Sequence, residues 1–129
     1  MDRFSSARDF QIWDFYISFG QLLLRSVGNG EGANATNIDI TFRGVFYLDI
    51  PATLSGVELG TATDDELARL AARTGISQDP TGQYHKYFVL MSKGNLYYVG
   101  AMDIYIGENT LDMMETSIGA VYQVPQQKA

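Results

Sequence analysis

The stretch NIDITFRGVFYLDIP, residues 37–51, decides the fold class because its side chains alternate between apolar and polar. The apolar side chains occupy even positions, namely Ile38, Ile40, Phe42, Phe46, Leu48 and Ile50. The odd positions are mostly polar, with Asn37 and Asp39 among them. A period of two residues is typical of a β-strand with one buried face and one face in water. Pro51 ends this predicted strand, and Gly44 predicts a bulge or a sharp bend in its middle.

Similar patterns recur along the chain. Residues 10–27 predict a hairpin that is apolar on both faces, with Trp13, Phe15, Ile17 and Phe19 on one of them. Residues 84–91 and 96–106 predict a second hairpin, and residues 118–124 predict a last strand. Strands that follow each other through short turns pair in an antiparallel sheet. The sequence therefore predicts a mainly β (α+β) fold with six or more strands in an antiparallel sheet, rolled into a sandwich or a partly closed barrel.

One helix is predicted near residues 63–74. Thr63 and Glu66 have the spacing of a capping box, and Gly75 has the position of a C-terminal cap. The apolar stripe of this segment is short, which is typical of a helix that docks on a sheet.

The length of 129 residues predicts a single β-rich domain over 1–129, with a flexible Gly-rich loop at 28–37 and a polar tail at 125–129. Residues 28–33 match the letters of a dinucleotide-binding glycine pattern. That pattern must open a helix, whereas a predicted strand follows here, so we interpret the segment as a loop.

The composition excludes several classes of function. The chain has no cysteine and one histidine, so thiolate sites are excluded and imidazole metal sites are disfavoured. Its net charge is −6 without a basic stripe, and it contains no apolar run of membrane-spanning length. We expect a cytoplasmic protein that binds no nucleic acid, membrane, metal or cofactor. Because the first hairpin is apolar on both faces, pairing of two copies across a two-fold axis is a further alternative.

The face on which His85 lies depends on the turn of the second hairpin. A three-residue turn, with Gly94 in a bulge, is favoured by the hydrophobic pattern. It groups five side chains into one candidate ligand or partner surface, namely His85, Tyr87, Tyr97, Asp103 and Tyr105. A two-residue turn, Lys93-Gly94, would instead place His85 opposite Met102 and separate it from Asp103. His85 would need oriented partners to act as a general base. Because Asp103 is the one partner that the pattern offers it, we expect no catalytic residue.

The C-terminal third is acidic. No Lys or Arg lies between Gly94 and Gln127, and Glu108, Asp112 and Glu115 form a predicted acidic patch. Such a patch either aids solubility or binds a basic partner.

Three functions remain open. The first is a non-catalytic protein-interaction or inhibitor-type module, such as an immunity-like binder of a basic protein. The second is a small-molecule binding β-barrel or sandwich, whose pocket we expect Trp13, Phe15 and tyrosines to line. The third is a carboxylate-dependent enzyme.

Overall fold

The computed structural model describes residues 4–118, which form eight β-strands and one α-helix. In chain order these elements are β1 (Ser5–Tyr16), β2 (Gln21–Ser26), β3 (Asn37–Arg43), β4 (Tyr47–Asp49), β5 (Thr53–Thr61), α1 (Asp64–Thr74), β6 (Lys86–Ser92), β7 (Asn95–Ala101) and β8 (Asp103–Asn109). The last predicted strand, 118–124, lies outside the described residues except for Ile118, which is not in a strand. The predicted tail at 125–129 lies outside them entirely.

All eight strands belong to one antiparallel sheet in the order β4-β7-β6-β5-β1-β2-β3-β8, which confirms the predicted fold class. Residues 44–46 lead β3 into β4, and Met102 leads β7 into β8. The ladder continues through these bends, because Met102 N donates to Arg43 O at 2.8 Å and Phe46 N donates to Gly100 O at 2.9 Å. The sheet is thus rolled around a core in a sandwich-like arrangement. Its end strands, β4 and β8, do not pair with each other, so the described sheet is not a closed barrel.

The core between the rolled halves is filled by side chains from six strands. Its most buried members are Phe10, Leu22, Leu24, Ile40, Phe42, Leu59, Leu90, Val99 and Ala101. The predicted bend at Gly44 is confirmed, since Gly44 has a φ of 65° and a Cβ there would lie 3.0 Å from the Met102 side chain. A residue other than glycine would be strained in this left-handed conformation.

The first hairpin differs from its predicted pattern. We expected Trp13, Phe15, Ile17 and Phe19 to line one face of a strand. This prediction is wrong, because a bulge between Ile12 and Asp14 interrupts the alternation. Ile17–Phe19 is a 3-10 turn. The strand that follows, β2, is buried on both faces from Leu22 to Ser26.

The helix α1 begins with the predicted capping box, in which the Thr63 hydroxyl accepts from Glu66 N and the Glu66 carboxylate accepts from Thr63 N. It ends at Gly75, which is left-handed at a φ of 76°. Leu70 is its buried residue and packs into a second apolar cluster. Among residues 4–118, this is the one α-helix, and it is neither long nor apolar enough to cross a membrane.

The Gly-rich loop leads directly into β3, as the sequence predicted, and carries hydrogen bonds of its own. Asn29 N donates to Asn34 O at 2.8 Å, and Gly30 N donates to Ala35 O at 3.2 Å. Its flexibility stays a prediction.

Candidate functional site

The second hairpin has a two-residue turn. Ser92 pairs with Asn95, while Lys93 and Gly94 have φ values of 50° and 77°. Two successive left-handed residues are typical of a type I′ turn, whose twist matches that of the flanking strands. The three-residue turn was therefore the wrong prediction, and the two-residue alternative is correct.

This register separates the five side chains predicted to share a surface. Tyr97 packs toward the main core, on the same face of the hairpin as Leu90 and Val99. Tyr87 lies on the opposite face and is buried beneath α1. The hydrophobic pattern misled because both faces of the hairpin are covered, one by the core and one by the helix. The predicted common surface is wrong.

Hydrogen bonds at the hydroxyls of Tyr47, Tyr87 and Tyr98 connect α1 and the residues after it to the sheet. Tyr87 donates to Ile76 O at 2.5 Å and shares a 2.6 Å hydrogen bond with Thr74. The Tyr98 hydroxyl donates to the Glu66 carboxylate at the start of the helix.

Arg69 also donates to the Tyr98 hydroxyl, at 3.4 Å, and Arg73 donates to the Tyr47 hydroxyl at 3.5 Å. Tyr87 and Tyr98 thus combine a buried ring with a hydrogen-bonded hydroxyl, and Tyr47 packs against the same cluster. Docking of the helix accounts for these three tyrosines.

Burial and the Glu66 carboxylate raise the pKa of the Tyr98 hydroxyl. On the other side of this contact, the Thr63 backbone N–H and then the Tyr98 hydroxyl lower the pKa of Glu66. Because both shifts favour the neutral phenol donating to the ionised carboxylate, this hydrogen bond joins helix and sheet most strongly near neutral pH.

His85 lies just before β6 and is exposed. Its ring packs edge-on against Phe46, with ring centroids 4.9 Å apart. Within residues 4–118, the His85 imidazole makes no hydrogen bond or ion pair with a carboxylate, so this part of the chain does not orient it as a general base. Asp103, its nominated partner, instead pairs with Arg43.

Asp103 and Tyr105 do share a surface, on β8. Arg43 holds the Asp103 carboxylate with two hydrogen bonds of 3.0 and 2.9 Å, donates to the Tyr105 hydroxyl at 2.6 Å and stacks over the Tyr105 ring at 4.4 Å. The bond to Asp103 raises the pKa of Arg43 above its usual value. The ion pair is half in water, with side chains 46% and 30% exposed. Such pairs contribute little to stability, and the cluster mainly fixes the orientation of Tyr105.

The acidic residues continue along and beyond β8. Glu108 is exposed and accepts from the Thr36 hydroxyl at 2.5 Å. Asp112 and Glu115 close a tight turn, in which Asp112 N donates to the Glu115 carboxylate at 2.9 Å and Met114 N donates to the Asp112 carboxylate at 2.8 Å. The structure thus places Glu108 on the sheet and the other two carboxylates on the segment that follows it.

That segment, residues 110–118, is called the strap here because it covers a polar site that the sequence reasoning missed. Asp39 was predicted on a wet face but is buried, and it forms a two-bond ion pair with the buried Arg25 at 2.7 and 2.9 Å. From the strap, Ser117 donates to Asp39 at 2.8 Å and Glu115 O accepts from Arg25 at 2.9 Å.

The rest of the polar site lies beside this ion pair. Trp13 stacks against the Arg25 guanidinium at 5.3 Å. Asn37 is buried as well, and its amide donates to Leu111 O at 2.7 Å. Each of these groups is satisfied within the fold, so the site has the character of a structural anchor.

Two open grooves lie elsewhere on the described surface. One, of about 300 Å³, runs between residues 78–82 and β6. The other, of about 610 Å³, lies between β1 and the Gly-rich loop. Neither groove is lined by Trp13 or Phe15, the aromatics expected in a small-molecule site. Residues 4–118 also contain no group of three or more His, Asp or Glu side chains placed to hold a metal ion.

Comparisons with protein-family models, with curated proteins and with solved structures find no match to this chain.

Proposed function

We propose that the protein is a non-catalytic protein-interaction module that binds a basic protein partner through β8 and the acidic turn at 112–115. The observation that carries the proposal is the position of β8 at one end of the sheet, with Tyr105 and Glu108 exposed. Tyrosine is enriched in interface cores, and complementary charge steers partners together. An inhibitor that covers a basic active site is the specific form we favour.

Two further observations support a protein-interaction module over the small-molecule barrel and the enzyme. The interior between the described strands is filled by packed apolar side chains, including Phe42 and Leu90, which favours a solid core over the wide cavity of a small-molecule barrel. His85, the one imidazole of the chain, is exposed and packs on Phe46.

The test compares three forms of the protein as baits in a lysate of the native host. One is the wild type, the second carries Glu108→Gln and Asp112→Asn, and the third carries Asp49→Asn and Asp65→Asn. The second and third forms lose the same charge, but the third loses it on β4 and α1. We expect a basic protein to be retained by the wild type and the third form, to be lost from the second, and to be released by salt because screening weakens exposed charge pairs. Equal retention by all three forms would contradict the proposed surface.

A further inference from the structure

We propose that the partner binds by strand addition, in which an extended segment carrying Lys or Arg pairs with the edge of β8 that faces away from β3. This inference rests on the proposed function and adds the mode of recognition. Strand addition gives affinity through main-chain hydrogen bonds and specificity through alternate side chains.

The register assigns the free main-chain groups of β8. Arg43 pairs with Asp103, and Arg43 O also accepts from Met102 N. Asp103 and every second residue after it therefore direct their main-chain groups toward β3. Because neighbouring residues of a strand point these groups in opposite directions, Ile104, Ile106 and Glu108 direct theirs away from the sheet.

The two ends of the sheet are protected differently. The edge strand β4 has three residues and is followed closely by Pro51, which are two common ways to blunt an edge. The edge strand β8 has seven residues with no Lys or Pro. Ile106 is 38% exposed, and a Cβ added at Gly107 would meet no atom within 4 Å. The β8 edge is therefore long and open among the described residues.

Charge decides which strand fits this edge. β8 carries Asp103 and Glu108 and no basic residue, and Asp112 follows it. A second copy of the chain would bring the same carboxylates to the same edge, and like charges across paired strands are destabilising. Arg43 already neutralises Asp103, so Glu108 and Asp112 are the carboxylates left for an incoming strand. A partner segment with alternating basic residues satisfies them.

The test uses the acetylated and amidated peptide KVKVKVK as a probe and EVEVEVE as its charge-reversed control. Amide hydrogen exchange of the full chain is followed by NMR with and without each peptide. We expect KVKVKVK to slow exchange at Ile104, Ile106 and Glu108 by about tenfold or more, with little change at Asp103 and Tyr105. Ile106→Pro removes one outward N–H, spares the β3 ladder and abolishes this protection. Leu48→Pro, on β4, leaves it intact.

Each other outcome overturns strand addition. If EVEVEVE protects equally, charge does not select the strand. If the three amides exchange slowly in the free protein, the edge is already covered, and if their protection rises with protein concentration, the occupant is a second copy. If Ile106→Pro keeps full protection by KVKVKVK while the Glu108→Gln and Asp112→Asn bait loses its partner, binding uses side-chain charge alone. In that last case the proposed function stands without strand addition.

Discussion

Replacing Asp39 by alanine is the sharpest test of how this fold is held together. The buried Arg25–Asp39 pair joins β2 to β3, while the exposed Arg43–Asp103 pair joins β3 to β8. Both pairs place Arg opposite Asp across antiparallel strands with two hydrogen bonds. They differ mainly in burial, with side-chain exposures of 1% and 5% against 46% and 30%.

Burial sets the expected magnitude. Asp39→Ala leaves a buried guanidinium without a counter-charge, which costs about 3–5 kcal/mol of unfolding free energy. It also removes the acceptor of the Ser117 and Asn109 hydrogen bonds. Asp103→Ala frees an Arg43 side chain that water already reaches, so the expected loss is about 0–1 kcal/mol. With an urea m-value near 2 kcal/mol per M, the first substitution lowers the midpoint by about 2 M and the second by less than about 0.5 M.

The assay is urea unfolding followed by fluorescence and circular dichroism. Trp13 is the one tryptophan of the chain and stacks on Arg25, so its emission reports directly on the buried pair. The Arg25→Ala variant and the double variant Arg25→Ala/Asp39→Ala complete a double-mutant cycle. The double variant should lose much less unfolding free energy than the two single variants lose together. Losses for Asp39→Ala and Asp103→Ala that agree within about 0.5 kcal/mol would refute the argument from burial.

Two further predictions concern the helix contact and the second hairpin. The folded pKa of Glu66 is lowered from 4.5, so its stabilisation is complete above the unfolded pKa and is lost as pH falls through the folded value. Urea titrations between about pH 5 and pH 3 should therefore show that the unfolding free energy of the wild type falls more steeply with decreasing pH than that of Glu66→Gln. An equal dependence on pH in the two proteins would contradict this. Lys93→Asn should raise the unfolding free energy by about 0.5–1 kcal/mol, and Gly94→Ala should lower it by about 1 kcal/mol, because both positions are left-handed. A neutral Lys93→Asn would count against the two-residue turn.

Local patterns predicted part of this fold, but they missed β5, which lies in the middle of the sheet between β6 and β1. The alternation in residues 37–51 predicted one long strand with a bulge or bend at Gly44, and the structure divides that stretch into β3 and β4. The capping box at Thr63 predicted α1. Alternation and capping boxes depend only on residues that are close in the sequence, so a single segment is enough to predict them.

The contacts that cover a strand could not be predicted in the same way. Asn37 and Asp39 occupy positions that would be wet on an open sheet, but the strap covers them from more than 70 residues away in the chain. The period of two residues predicts which side chains share a face of the strand. It does not predict which other segment packs on that face. The prediction of the hairpin register failed for the same reason, because α1 covers Tyr98 and makes the second face of the hairpin as apolar as the first.

This cover changes which part of the predicted surface supports a binding function. A row of tyrosines on an open sheet would by itself suggest an interface, but Tyr47, Tyr87 and Tyr98 use their hydroxyls to hold the helix. Tyr105 differs, because its hydroxyl accepts from Arg43 while half of the residue stays exposed. A side chain that is oriented from within the sheet and still faces water has lost rotamer freedom before any partner arrives, which lowers the entropic cost of binding. The binding hypothesis therefore depends on β8, and the helix-covered tyrosines do not support it.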